Sequence, residues 1–218
     1  MTRPFPFSVG EFYHIYNRGT EKRTIFTTTA ERDRFIALLY LANQTGPIEL
    51  KIQGSTLEEM RERTTKPLVD VVAYCLMPNH FHLLIREREE GGISKFMQKL
   101  QTGYTMYFNI RHERTGALFQ GKFKATHVAD DRYLQYLVSY IHLNPVKLID
   151  PTWKETGIQN RQKAEKYLET YRYSSYLDYL GPKRRENILL SMDQLPEYFS
   201  SGMDFKSFVT EWLTYKPE

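Results

Sequence analysis

Two histidines one residue apart, His80 and His82, stand inside the apolar stretch Ala73–Ile85, AYCLMPNHFHLLI. On an extended strand successive side chains point to opposite faces, so both imidazoles share one face and Phe81 takes the other. Neighbouring neutral imidazoles can hold a divalent metal. The apolar runs Val71–Ala73 and Leu83–Ile85 predict buried strands that keep the two rings rigid. The same pattern also suits two hydrogen-bonded polar residues at the solvent face of a sheet, because so short a motif recurs by chance. A second group of residues bears on that choice. Laid out at about 100° per residue, the predicted helix Arg132–Leu143 carries Leu134, Leu137, Val138 and Ile141 on one stripe, which should face the sheet. Tyr133, Tyr136, Tyr140 and Asn144 form the adjoining stripe, and His142 turns away from it. Tyr140 and Asn144 are an i,i+4 pair and therefore surface neighbours. They sit at the border of the sheet contact, where a phenol could meet a metal held by His80 and His82; packing tyrosines with wet hydroxyls are the alternative.

The elements that would position these groups follow from periodicity. Phe12–Asn17 alternates as a strand, and the loop Arg18–Arg23 after it carries Arg18, Lys22 and Arg23, as a solvated basic turn or a phosphate contact. Ala30–Ala42 has helical spacing with Thr29 as N-cap, and Gly46-Pro47 stops it. Ile48–Ile52 alternates as a short strand, and the charged stretch Gly54–Lys66 reads as a surface excursion. Val69–Leu76 and Phe81–Arg86 form a hairpin turned at Met77-Pro78-Asn79, with His80 opening its second strand. Gly91-Gly92 precedes a helix over Ile93–His112 whose Met and aromatic stripe reads as core. Lys122–Val128 alternates as a strand with Lys122, Lys124 and Thr126 on one face, and Asp130-Asp131 caps the next helix, which stops at Asn144-Pro145. Beyond residue 151 come a helix over Gln159–Thr170, the aromatic-rich Tyr171–Leu180, a basic turn at Lys183-Arg184-Arg185 and a last helix around Phe205–Tyr215. This order predicts an α+β fold: a ferredoxin-like or RRM-like antiparallel sheet with helices packed on it, plus a helical C-terminal extension. Residues 1–150 would form the catalytic domain and 151–218 an extension packed on it.

Composition narrows the function classes. The 218 residues are 41% hydrophobic and 26% charged, as in an ordinary globular protein. Thirty Lys and Arg against 26 Asp and Glu give only +4, so the position of charge must carry any nucleic-acid argument. Sixteen Tyr and 13 Phe supply both core and stacking surface. The single cysteine, Cys75, rules out a disulfide framework within the chain and a Cys-rich zinc site, and its apolar strand makes it an inert core thiol. With no stretch of roughly 18 apolar residues and no apolar leader, a cytoplasmic protein with no membrane partner is expected.

Taken together, CLMPNHFHLLI, the helix FMQKLQTGYTMYFNIRH, the run LFQGKFKA and YLVSYIHLNPVK resemble the REP-associated tyrosine transposases, a branch of the HUH single-strand DNA nucleases, over about residues 9–181. The resemblance implies that His80 and His82 are metal ligands, that Tyr140 is the single nucleophilic tyrosine, and that Asn144 completes the metal site. It implies Mg²⁺ or Mn²⁺ as cofactor; imidazole favours Mn²⁺ by ligand type and cellular abundance favours Mg²⁺. The implied reaction cleaves and rejoins single-stranded DNA at the foot of a REP-like hairpin through a 5′-phosphotyrosine, conserving the phosphodiester energy for transfer to another 3′-OH. Arg18, Lys22, Arg23, Lys122 and Lys124 are the candidates for the DNA groove. A monomer or a homodimer is expected, with the site closed within one chain, in a nucleoid-associated cytoplasmic protein. Two other classes stay open: a non-catalytic RRM-like module that binds single-stranded nucleic acid, and a metal-dependent nuclease that uses water instead of tyrosine.

Overall fold

The computed structural model describes residues 6–48, 66–181 and 184–211. Four strands are interspersed with helices along the chain, β2 and β3 following one another as a hairpin: β1 (Phe12–Arg18), β2 (Val69–Met77), β3 (His80–Glu87) and β4 (Lys124–His127). They pair antiparallel in the order β2-β3-β1-β4, which puts the histidine strand beside β1 at the centre. Helix α1 (Thr29–Ala42) follows β1, α2 (Gly92–Arg111) follows β3, and α3 (Asp131–Leu143) follows β4. This is the expected ferredoxin-like α+β order.

Alternation along the strands builds two cores, one on each face. Tyr13, Ile15, Phe81, Leu83 and Ile85 pack against α1 and α2. Ala73, Cys75, Met77 and Leu84 pack against α3 and the segment that follows it. An irregularity in register between Val71 and Ala73 resets the pattern in β2, so Val69 and Val71 share the first core with Tyr74 and Leu76. One extra residue in a strand is what such a bulge supplies.

Helix ends follow local chemistry. Thr28, one residue before the expected Thr29, caps α1, because its hydroxyl accepts from Glu31 N at 3.3 Å while Glu31 Oε2 accepts from Thr28 N at 3.2 Å. That reciprocal pair is a capping box, which needs the acid three residues on. Asp130 caps α3, accepting from Tyr133 N at 2.8 Å. Pro145 has no N–H to continue the helix, and the chain tightens into a 3₁₀ turn over Asn144–Leu148.

The C-terminal segment adds short helices α4 (Trp153–Thr156), α5 (Arg161–Leu168) and α6 (Tyr176–Tyr179), then α7 (Gly202–Glu211). The stretch before α6 lies along the outer edge of β2: Leu76 N donates to Tyr173 O at 2.9 Å and Ser175 N to Tyr74 O at 3.0 Å. Phe205 and Val209 of α7 share the second core with α3. The outer edge of β2 is thereby covered.

Several expected boundaries shift. The strand expected over Lys122–Val128 pairs only over its middle, and the helix expected from Gln159 begins at Arg161 with Asn160 as cap. The expected basic turn at 183–185 is not simply solvated, since Arg184 is drawn inward and its Nε donates to Asp178 Oδ1 at 3.1 Å. All of the expected strand Ile48–Ile52 but its first residue, nearly all of the charged excursion, Lys183 and the end of the last helix lie outside the described residues.

Candidate active site

His80 and His82 point to the α3 side of the sheet, with Phe81 on the other, as alternation requires. Their rings stand edge to face, centroids 4.9 Å apart. His80 Nδ1–H donates to Asn79 Oδ1 at 2.6 Å, and Asn79 Nδ2 donates to Lys22 O at 3.2 Å, which orients the amide. His82 is 6% exposed, and its Nδ1 lies 2.9 Å from Nε2 of His14 on β1. Asn79 Oδ1 can only accept, so Nε2 of His80 keeps its lone pair; Nε2 of His82 keeps its own in the tautomer in which Nδ1–H donates to His14 Nε2. A hydrogen bond at one ring nitrogen decides which role the other plays.

Burial keeps these rings neutral. Desolvation, then the positive charge of Lys154, pull His14 down to about 4. Desolvation, then Lys154, Lys147 and Arg18, bring His80 to about 4. His82 falls well below the usual histidine value, through burial first and then through His14, His80 and Lys154. Neutral imidazoles are the form that donates to a metal.

Tyr140 approaches this cluster from α3. Its ring lies 5.6 Å from that of His82 and 6.0 Å from that of His14, nearly perpendicular to both, within a single chain. Tyr136 stacks on it at 5.6 Å and Tyr133 on Tyr136 at 6.0 Å, so the tyrosine stripe read from the sequence is a continuous stack. Asn144, one turn on and 2% exposed, donates from Nδ2 to Tyr140 O at 2.8 Å. Burial raises the Tyr140 phenol above its usual value, and the Asn144 side chain and the Lys147 charge oppose that rise. His142 turns away, as expected: it is fully buried, its Nε2 2.7 Å from Ser175 Oγ, and desolvation lowers it to about 3.

The cationic residues divide. Arg18 ends β1 directly opposite His80, and its guanidinium donates to Gln120 Oε1. Lys124 pairs with Tyr16, which pairs with His82, so all three share the histidine face. Lys122 is exposed just before β4. Lys22 ends the 3₁₀ turn Thr20–Lys22, and Arg23 is already paired with Glu21 at 3.3 Å.

Two residues not singled out in the sequence belong to the site. His14 alternates with Tyr16 in FYHIYN and is placed diagonally to His82 by strand register. Alternation in that stretch was the available signal. Lys154 comes from α4, and its Nζ donates to Tyr140 Oη at 2.8 Å while lying 4.1 Å from the ring centroid.

Known proteins can be set beside this geometry. The family model described as "Transposase IS200 like" matches residues 12–144, from the start of β1 to Asn144. No curated protein matches the chain. A solved structure described as "Structure of the REP associates tyrosine transposase bound to a REP hairpin" aligns with a TM-score of 0.52 and 13% identity, over 85% of this chain and 89% of that one. At that identity the likeness is one of fold.

Proposed function

Because this chain belongs to the family of IS200-like transposases, we propose that it cleaves and rejoins single-stranded DNA at hairpin, REP-like sequences, with Tyr140 as nucleophile. The observation that carries this reading is the Tyr140 ring 5.6 Å from the His82 ring in one chain. The hairpin is suggested by the solved structure of similar fold, which is bound to one.

The donors present fit a divalent cation. Among the described residues no three His, Cys, Asp or Glu side chains gather as a metal-holding group. Protein donors would therefore be Nε2 of His80 and His82 and the Asn144 amide oxygen, leaving positions open for phosphate oxygens and water. Mg²⁺ and Mn²⁺ both accept such a set, with imidazole favouring Mn²⁺. When bound, the cation would draw charge from the scissile phosphate.

The chain's own residues would do the rest. Asn79 holds His80 in one tautomer, and His14 would hold His82 with its Nε2 free by accepting from His82 Nδ1–H. Helix α3 aims the phenol at the phosphate for in-line attack. The Tyr140–phosphate ester keeps the bond energy, and a 3′-OH from another end reverses the step. Arg18 and Lys124 flank the histidines on the same face and would hold the backbone of the strand. A site complete in one chain suits a monomer, or a homodimer whose subunits act independently, in a nucleoid-associated cytoplasmic protein. Among the described residues no helix is long and apolar enough to cross a membrane.

The test is incubation of the purified protein with hairpin oligonucleotides and Mn²⁺. The expected result is a covalent protein–DNA adduct that Tyr140→Phe abolishes while still binding DNA. Cleavage that survives in Tyr140→Phe would favour a water-using nuclease. Binding without cleavage by the wild type would favour an RRM-like binding module.

A further inference from the structure

The family model ends at Asn144, yet the Tyr140 hydroxyl is met by a residue beyond it. The 3₁₀ turn Asn144–Leu148 reverses the chain, and α4 brings Lys154 back over the tyrosine. Trp153 of α4 is buried in the second core and fixes that return. The Lys154 amine both contacts Oη at 2.8 Å and covers the ring at 4.1 Å. This contact falls on Oη, the atom that would attack phosphorus, and joins the influence of the Asn144 side chain on the same phenol.

We propose that Lys154 is a catalytic residue, the base that takes the Tyr140 phenol proton, so that the C-terminal extension completes the active site. The inference rests on the tyrosine-nucleophile reading above and adds the group that activates it. In the cleaving direction the Oη–P bond forms as the P–O3′ bond breaks. The Oη proton passes to the neutral Lys154 amine, and the departing 3′-oxygen takes a proton from water. In the joining direction a 3′-OH attacks phosphorus and gives its proton to water. The Lys154 ammonium then returns a proton to Oη as the Oη–P bond breaks.

The surroundings suit that role. Burial, then repulsion from Lys147, lower Lys154 to about 8, with Glu155 opposing. The other titratable groups facing it are Tyr140 on α3, His14 on β1, and His80 and His82 on β3, whose rings its charge helps keep neutral. An ordinary lysine near 10.4 would present little free amine at neutral pH, whereas one near 8 presents a useful fraction.

The experiment compares full-length wild type, Lys154→Met and Lys154→Arg in initial rates of adduct formation with a hairpin oligonucleotide and Mn²⁺, from pH 6 to 9.5. Mn²⁺ affinity, DNA affinity and thermal stability are measured alongside. The wild-type rate should rise with pH and level off with its midpoint near 8. Lys154→Met should lose on the order of 100-fold or more and the midpoint with it, as expected for removal of a general base. Lys154→Arg should fail similarly, because a guanidinium keeps its proton. Mn²⁺ and DNA binding should stay within a few-fold for both variants. Near wild-type rates in Lys154→Arg would overturn the proposal in favour of charge alone, and near wild-type rates in Lys154→Met would overturn any role. A wild type that forms no adduct overturns the tyrosine reading and this proposal together, which distinguishes that failure from the variant-specific ones.

Discussion

Phe81 and His82 are consecutive residues of β3 and meet opposite environments. Phe81 is fully buried, its ring 5.1 Å from Phe35 of α1 and 5.8 Å from Phe119. His82 is nearly as buried, yet its neighbours are His14, His80 and Tyr140. Burial on the first face removes apolar surface from water and stabilises the fold. On the second face it strips water from imidazoles, which stabilises nothing by itself and holds them neutral. Both faces carry a core, but at these two adjacent positions the pleat gives Phe81 to packing and His82 to the candidate site, and substitutions there should separate the two roles.

The largest contrast comes from that pair. Phe81→Ala should lower unfolding free energy by about 3–5 kcal/mol through lost burial and a cavity, read by urea melts. The molecules that remain folded should still form adduct within a few-fold of wild type. His82→Gln should do the reverse, reducing adduct formation by on the order of 100-fold or more if His82 is the metal ligand proposed above. Its stability should stay within about 1–2 kcal/mol, the usual range for a single hydrogen bond exchanged. If His82→Gln unfolds the protein as severely as Phe81→Ala, the division between the faces is wrong.

How the two faces were visible in the sequence differs. Alternation in CLMPNHFHLLI put His80 and His82 opposite Phe81, and helical spacing put Tyr140 beside Asn144 and turned His142 away; the coordinates agree on all of these. His14 was not singled out because its closeness to His82 depends on β1 pairing with β3, a register no local pattern states. Lys154 was harder still, since a 3₁₀ turn after Pro145 brings it to Oη from beyond the recognisable motif. The register shift in β2 escapes a period-2 reading because the apolar residues on both sides of it conceal the change of phase. Arg184, read as part of a basic turn, binds the nearby Asp178 and also reaches the Tyr74 hydroxyl of β2, a contact made by the fold that local charge does not state.

His142 tests whether the second face uses all its imidazoles alike. It lies among Tyr179 and Phe205 rather than at the phenol, and burial lowers it to about 3. In the unfolded chain it should titrate near 6.5, so as pH falls below that value the unfolded state gains a proton the folded state excludes. Its stabilising contribution is therefore full above about 6.5 and shrinks at up to ~1.4 kcal/mol per unit as pH falls toward its folded value. His142→Gln, which keeps an amide near Ser175 Oγ, should flatten the acid loss of stability between pH 6.5 and 4.5 by about 2–3 kcal/mol. Urea melts at several pH values check this. Adduct formation by the variant at pH 8 should be unchanged, marking a histidine of packing on the face of chemistry.

The smallest effect concerns the rim of that face. Lys124 shares the histidine side through Tyr16, whereas Arg23 has its charge already engaged by Glu21. An exposed cation that meets a backbone phosphate releases a counterion, so each such contact adds about 0.7 to the slope of log affinity against log salt for a single strand. Lys124→Ala should weaken hairpin binding a few-fold, equally across hairpin sequences, and lower that slope by about 0.7. Arg23→Ala should lower it by less, because removing the guanidinium also frees Glu21 and the net gain of counterion release is partly cancelled. Titrations of a labelled hairpin at several salt concentrations separate the two variants. Equal slopes for both would mean that the strand runs along the loop as much as across β4, and that the binding surface extends past the face that carries the histidines.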